Sequence, residues 1–169
     1  TNPTGYTVES DDITLINPTK TGYTFAGWTG TGLDSATMAV TIAKGSTGDR
    51  SYTATWTANN YKYTVTVAQN VETATTITIV ANGVEKTIAA SGTVEFDIPY
   101  NTTFTPTVKF AAQSGKSYNL VWGTSASKTA STADSAISGS QITMSTSGAT
   151  ATVTLTEILT VTVASNDVM

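Results

Sequence analysis

Asn17-Pro18-Thr19-Lys20-Thr21-Gly22-Tyr23-Thr24-Phe25-Ala26-Gly27-Trp28 is the stretch whose reading decides the fold. Proline fixes its own φ and pushes the residue before it out of the α region, so Asn17-Pro18 opens a turn. Gly22 then permits a tight reversal. Tyr23 and Phe25 alternate with Thr24 and Ala26, the period-2 pattern of a half-buried strand. Gly27 lets that strand bend or lets another backbone come close, and Trp28 follows with a large apolar body. A second block, Gly45-Ser46-Thr47-Gly48-Asp49-Arg50-Ser51-Tyr52-Thr53-Ala54-Thr55-Trp56, repeats the logic. It predicts a strand with Tyr52, Ala54 and Trp56 on one face and Thr53, Thr55 and Thr57 on the other.

These two runs, NPTKTGYTFAGWTG and GSTGDRSYTATW, resemble the Listeria–Bacteroides repeat, the B repeat of internalin-type bacterial surface proteins. The resemblance covers residues 1–58. It implies a small β-grasp-like module in a secreted or wall-attached protein, without catalytic residues. The family begins with a strand and a paired-glycine turn ahead of the Thr1-Asn2-Pro3-Thr4 equivalent. The resemblance therefore implies that this first strand is missing from residues 1–58, leaving the Ser51–Thr57 strand with an open edge.

Composition points the same way. Charged residues make up only 12% of the chain, and 38 of its 169 positions are Thr. Thr and Val are β-branched and favour a pleated, half-buried surface, so the expected fold class is mainly β. The net charge of −4 leaves no basic patch to neutralise phosphates, and no nucleic-acid partner is expected. Cysteine and histidine are both absent, which removes disulfides, thiolate metal sites and histidine acid–base chemistry. No apolar run is long enough to span a bilayer, and no membrane insertion is expected of this fragment. Export and anchoring signals, if the parent protein uses them, are expected outside it.

Within the first module, Tyr6–Val8 and Ile13–Ile16 read as short strands around the turn Glu9–Asp12, and Ala39–Ile42 as another. Asp34 or Ser35 offers a cap for one helical turn. Asp11, Asp12 and Asp34 lack the alternating-oxygen loop of a calcium site and read as solvated turn acids. No metal and no cofactor is expected.

Thr57-Ala58-Asn59-Asn60 reads as the linker. The second module, residues 61–158, is expected to be an immunoglobulin-like β-sandwich built from short alternating strands. Tyr61, Tyr63, Val65 and Val67 share one face, as do Val94, Phe96, Ile98 and Tyr100. Thr76–Ala81 and Val84–Ala89 flank Asn82-Gly83, the strongest short hairpin signal. Phe104–Phe110 contains Pro106 and predicts an edge strand or a bulge. Tyr118–Trp122 predicts a central strand. Gly123–Gly139, nearly free of large apolar residues, predicts a surface excursion prone to disorder. Gln141–Ser145 and Ala149–Thr156 predict a terminal hairpin around Ser147-Gly148. Thr160–Asn166 copies Thr64–Asn70 with one substitution, so residues 159–169 read as the start of a further repeat.

Chemistry-bearing residues are few. Trp28, Trp56 and Trp122 are weak candidates for stacking on sugar rings, although a Trp in an alternating strand is more often core. The Thr-x-Thr runs read as solvent-facing ladders, since an ice-binding face needs a long regular solenoid. Two charges break the alternation. Lys86 shares parity with Val84 and Ile88, and Glu157 with Leu155, Leu159 and Val161. Each must be paired, cross-linked as in wall adhesins with Lys–Asn isopeptide bonds, or turned outward at a rim or bulge; the rim is the default. A Thr–Gln ester would usually need histidine. Glu95 and Asp97, the nearest thing to a catalytic carboxylate pair, point outward from one strand, so no enzyme activity is expected. The expected function is a non-catalytic module of a large bacterial cell-surface protein, a stalk or an adhesion domain located in the cell wall or outside the cell. The alternative is a carbohydrate-binding module. A host protein or glycan is the expected partner, with strand exchange between neighbouring modules as a further one.

Overall fold

The computed structural model describes residues 1–124, 126–130 and 135–161. Every regular element among them is a β-strand, and the chain divides into two compact units, the first Thr1–Asn59 and the second starting at Asn60.

In the first unit, β1 (Ile13–Thr14) pairs antiparallel with β3 (Thr41–Ile42), and β2 (Tyr23–Gly30) pairs antiparallel with β4 (Tyr52–Ala58). The β2–β4 register shifts between Phe25 and Gly27. Three residues apart on a regular strand, Phe25 and Trp28 would face opposite ways. The bulge adds one residue to β2, so both lie opposite same-face residues of β4, Phe25 against Trp56 and Trp28 against Ala54. Gly27 makes this possible. Its φ is 125°, and a Cβ there would stand 2.9 Å from the Thr37 nitrogen. Thr37 is held that close because it exchanges both backbone hydrogen bonds with Trp28, at 2.7 and 3.0 Å. Strand bending and close backbone approach thus occur at the same glycine.

The second unit is a β-sandwich. Its larger sheet has the order β12 (Ala126–Ala130), β11 (Ser117–Trp122), β15 (Ala149–Ile158), β5 (Asn60–Asn70), β8 (Gly92–Pro99). The other has the order β13 (Ser135–Ser138), β10 (Thr107–Phe110), β6 (Ile77–Ala81), β7 (Val84–Ile88). A small pair, β9 (Thr103–Phe104) with β14 (Ile142–Thr143), completes it. The alternating faces read from the sequence make one core: Tyr63, Val65 and Val67 of β5 and Phe96 and Ile98 of β8 meet Ile77, Ile79, Val108 and Phe110. At the β6–β7 turn Asn82 and Gly83 take φ of 47° and 76°, the left-handed pair a two-residue hairpin requires.

Several expectations are corrected. Tyr6–Val8 is not a strand, the strand at Ile13–Ile16 shrinks to Ile13–Thr14, and no helix forms at Asp34 or Ser35. The linker shrinks to Asn59, because β4 runs to Ala58 and β5 begins at Asn60. Pro106 marks no edge. It divides β9 from β10, and β10 is an interior strand between β13 and β6. Proline lacks an N–H and cannot donate to a ladder, although its carbonyl accepts the Gly139 N–H at 2.9 Å, so the break falls there. Within Gly123–Gly139, β12 and β13 are edge strands registered on β11 and β10; Ser125 and residues 131–134 lie outside the described residues. The terminal hairpin does not form. β14 pairs with β9, while β15 lies between β11 and β5 and runs parallel to β5 from Tyr63–Ala149 to Asn70–Thr156. The repeated segment Thr160–Asn166 lies, from Thr162 on, outside the described residues.

Candidate functional site

The opening stretch closes on itself. Trp28 is 7% exposed, and its indole Nε1 donates to Asn17 Oδ1 at 2.9 Å. Asn17 Nδ2 in turn donates to the Met38 carbonyl at 3.1 Å, so the turn opener also satisfies the buried ring. Phe25 packs edge-to-face on Trp28 and on Trp56, with centroids 5.4 and 5.7 Å apart. Lys20 Nζ stands 4.1 Å from the Tyr23 ring centroid and 5.8 Å from that of Trp56. Of the three tryptophans, Trp28 and Trp122 are core residues and Trp56 is half-buried. Trp122 lies over Gly139 so closely that a Cβ there would approach the indole to 2.6 Å.

A cleft of about 620 Å³ opens in the first unit. Its apolar floor includes Ile13, Leu15, Trp28 and Ile42, and Tyr52 and Arg50 stand at its rim. Asn2–Val8 forms one wall. That segment is held without a strand: the Asn2 side-chain amide donates to the Ile16 carbonyl at 3.0 Å and accepts from the Ile16 N–H at 2.7 Å. Arg50 Nε donates to the Tyr6 hydroxyl at 3.1 Å, and that hydroxyl donates to the Gly48 carbonyl, which ties the two walls together. Sequence reading missed this cleft, because its lining comes from segments far apart in the chain with no shared motif.

The out-of-pattern charges have separate partners. Lys86 is exposed, donates its ammonium to the Glu95 carbonyl and sits 5.4 Å over the Phe96 ring centroid. Glu157 stands one residue before the end of β15. Its side chain is 6% exposed and lies 2.8 Å from Lys116 Nζ, while the Glu72 N–H donates to it at 3.0 Å. Lys116 also pairs with Glu72 at 2.8 Å. The hydrogen bonds from Lys116, first, and from the Glu72 N–H lower the Glu157 pKa, and the Glu157 and Glu72 carboxylates raise that of Lys116. A buried carboxylate is tolerable only when paired in this way.

Glu95 and Asp97 share one cation, with Lys62 Nζ 3.5 Å from Glu95 and 3.0 Å from Asp97. Both carboxylates are exposed and lie beside this one exposed cation. Asp11 pairs with Lys44 at 3.1 Å, and Asp12 accepts from the Lys44 N–H at 2.8 Å. Among the described residues no group of three or more acidic side chains is placed to hold a metal ion. Threonine pairs do form across strands, Thr14 with Thr41 at 3.0 Å and Thr103 with Thr143 at 2.8 Å.

No known family model matches the chain, and no curated protein does. Among solved structures, an asparagine-to-alanine mutant of the major pilin from Streptococcus pyogenes is similar over 86% of this chain and 69% of the pilin chain. The identity is 13% and the TM-score 0.29.

Proposed function

We propose that this chain is a non-catalytic, load-bearing spacer of a bacterial cell-surface protein. The observation that carries the reading is the parallel pairing of β5 with β15 over eight registered residues, from Tyr63–Ala149 to Asn70–Thr156. The chain enters the second unit at Asn60 and leaves β15 at Ile158. With strands rising ~3.3 Å per residue, these points lie about 40 Å apart along the strand direction. Tension between them loads the β5–β15 ladder in shear. Its hydrogen bonds must then yield together, whereas a hairpin opens one bond pair at a time. Flanking strands β11 and β8 hold both partners in the sheet interior. The Thr-rich, acidic, cysteine-free composition and the resemblance of residues 1–58 to the Listeria–Bacteroides repeat support a location outside the cell.

The absence of native cysteine allows handles to be introduced at chosen positions. Pulling through Asn60 and Ile158 should require a distinctly higher force than pulling through Asn60 and Pro99. The latter two are register partners at one end of the β5–β8 pair, and force there unzips it. Equal forces in the two geometries would reject a load-bearing role.

The half-buried Trp56, beside Tyr23 and Lys20, supports a second reading, a carbohydrate-binding module. Glycan binding there would shift Trp56 emission, and an array of cell-wall and host glycans that leaves the emission unchanged would discard it.

A further inference from the structure

We infer that the outer edge of β4 is an acceptor for an added strand, and that the strand is the segment following β15 of a second copy of this chain. The ladder shows which groups face outward. Trp28 spends its N–H and C=O on Thr37, so they point away from β4, and Trp28–Ala54 is a non-hydrogen-bonded pair. The N–H and C=O of Ala54 therefore point away from β2. Thr31 N–H bonds the Ser51 carbonyl and Asn59 N–H bonds the Gly22 carbonyl, which puts Tyr52 and Ala58 in the same outward phase, with Trp56 between. No strand among the described residues pairs with that edge. Four residues thus offer a continuous row of donors and acceptors.

The apolar surface beside the edge is also incomplete. The buried hydrophobic residues of the first unit are Trp28, Val40 and Ile42, while Ile13 and Leu15 stay half-exposed in the cleft that Tyr52 rims. A 59-residue unit with so small a core gains from any segment that brings alternate apolar side chains to that floor.

The chain carries such a segment. Beyond Ile158, Leu159 and Val161 are 79% and 88% exposed. The sequence Leu159-Thr160-Val161-Thr162-Val163 alternates apolar and hydroxyl residues, and none from Ile158 to Asn166 is charged. Leu159–Ser165 equals the seven residues of β4 in length. The donor is a second copy because its own tail does not reach. Ile158 lies about 40 Å along β15 from the level of Asn60, and Ala58 is two residues from Asn60. The seven residues Leu159–Ser165 span at most ~25 Å fully extended, so in the same copy they fall short of Ala58 and cannot line this edge. Each copy then donates one tail and accepts another, a head-to-tail contact that extends with concentration.

Two full-length variants test this. Val161→Asp places a charge in the donor, at a position already exposed. Ala54→Pro removes an outward N–H from the acceptor without touching the β2 ladder. In sedimentation, the parent chain is expected to grow in mass with concentration. Each variant alone should stay monomeric, and the two mixed should form a one-to-one complex, because one still has its edge and the other its tail. In that complex the amides of Tyr52, Trp56 and Ala58 in the Val161→Asp copy should exchange at least tenfold more slowly. A parent chain that stays monomeric at all concentrations overturns the proposal. So does association that survives Val161→Asp, or slow exchange at β4 in a monomer. If Ala54→Pro fails to fold, a chain ending at Ile158 replaces it as the reference. Synthetic Leu159–Ser165 must then slow exchange at its β4 edge, and no slowing overturns the proposal. Failure here leaves the shear geometry of the sandwich untouched, since the pulling experiment reads that alone.

Discussion

Lys116 Nζ lies 2.8 Å from a Glu157 carboxylate oxygen, and the Glu157 side chain is 6% exposed. Through Glu72, which bonds both residues, the pair ties the loop after β5 to the end of β15. Because the folded-state pKa of Glu157 is lowered, its contribution to stability is present above the unfolded value of about 4.3. It is lost as pH falls through the folded value. The Lys116 pKa is raised, so its contribution is complete below about 10.4 and is lost at higher pH. Urea midpoints should therefore be flat between about pH 5 and 9 as far as this pair is concerned, and fall on the acid side. Glu157→Gln should lower the plateau and flatten the acid limb. An unchanged acid limb in that variant would show that the pair does not govern it.

Among the described residues, the buried hydroxyls of Tyr63 and Tyr118 have no hydrogen-bond partner. Tyr118 is fully buried, edge-to-face with Phe110 at 5.3 Å, so the ring is well used while its hydroxyl is not. Tyr118→Phe should raise stability by about 1 kcal/mol, the lower end of the cost of an unsatisfied buried polar group. Burial pushes the Tyr63 phenol well above its ordinary pKa. Its folded pKa is raised, so stability is intact below about 10 and falls at higher pH. Tyr63→Phe should remove that part of the alkaline limb. Thermal melts across pH 7 to 11 measure both variants.

Gly148 has φ 74°, and a Cβ there would stand 2.5 Å from the Lys62 carbonyl oxygen. It immediately precedes β15, where the parallel ladder with β5 begins. Gly148→Ala should cost about 1–3 kcal/mol through backbone displacement and lower the force needed to shear β5 from β15. Denaturant midpoints and pulling curves on the same variant check the two effects together.

Trp28 and Trp122 are 7% and 5% exposed, whereas Trp56 is half-buried. Acrylamide should quench a minor part of the emission, and Trp56→Phe should abolish that part while leaving the blue-shifted remainder. Quenching that persists unchanged in Trp56→Phe would assign the accessible ring to another position.

What the sequence determined by itself is local. Alternation from Tyr61 to Val67 and from Val94 to Ile98 settles which side chains enter the core, because successive strand residues face opposite ways. Asn82-Gly83 settles a hairpin, because both residues tolerate a left-handed backbone. Gly27 marks the bulge for the same steric reason. What the tertiary structure decided is pairing between distant segments. Thr-rich alternating strands fit many partners equally well, so nothing local announces that β15 lies parallel to β5 instead of folding back on Gln141–Ser145. Residues 126–130 and 135–138 carry little apolar signal and become strands because β11 and β10 offer them backbone hydrogen bonds. The same holds for charge. Glu157 stands out in the sequence as a misplaced carboxylate, but only the register of β11 on β15 brings Lys116 to neutralise it.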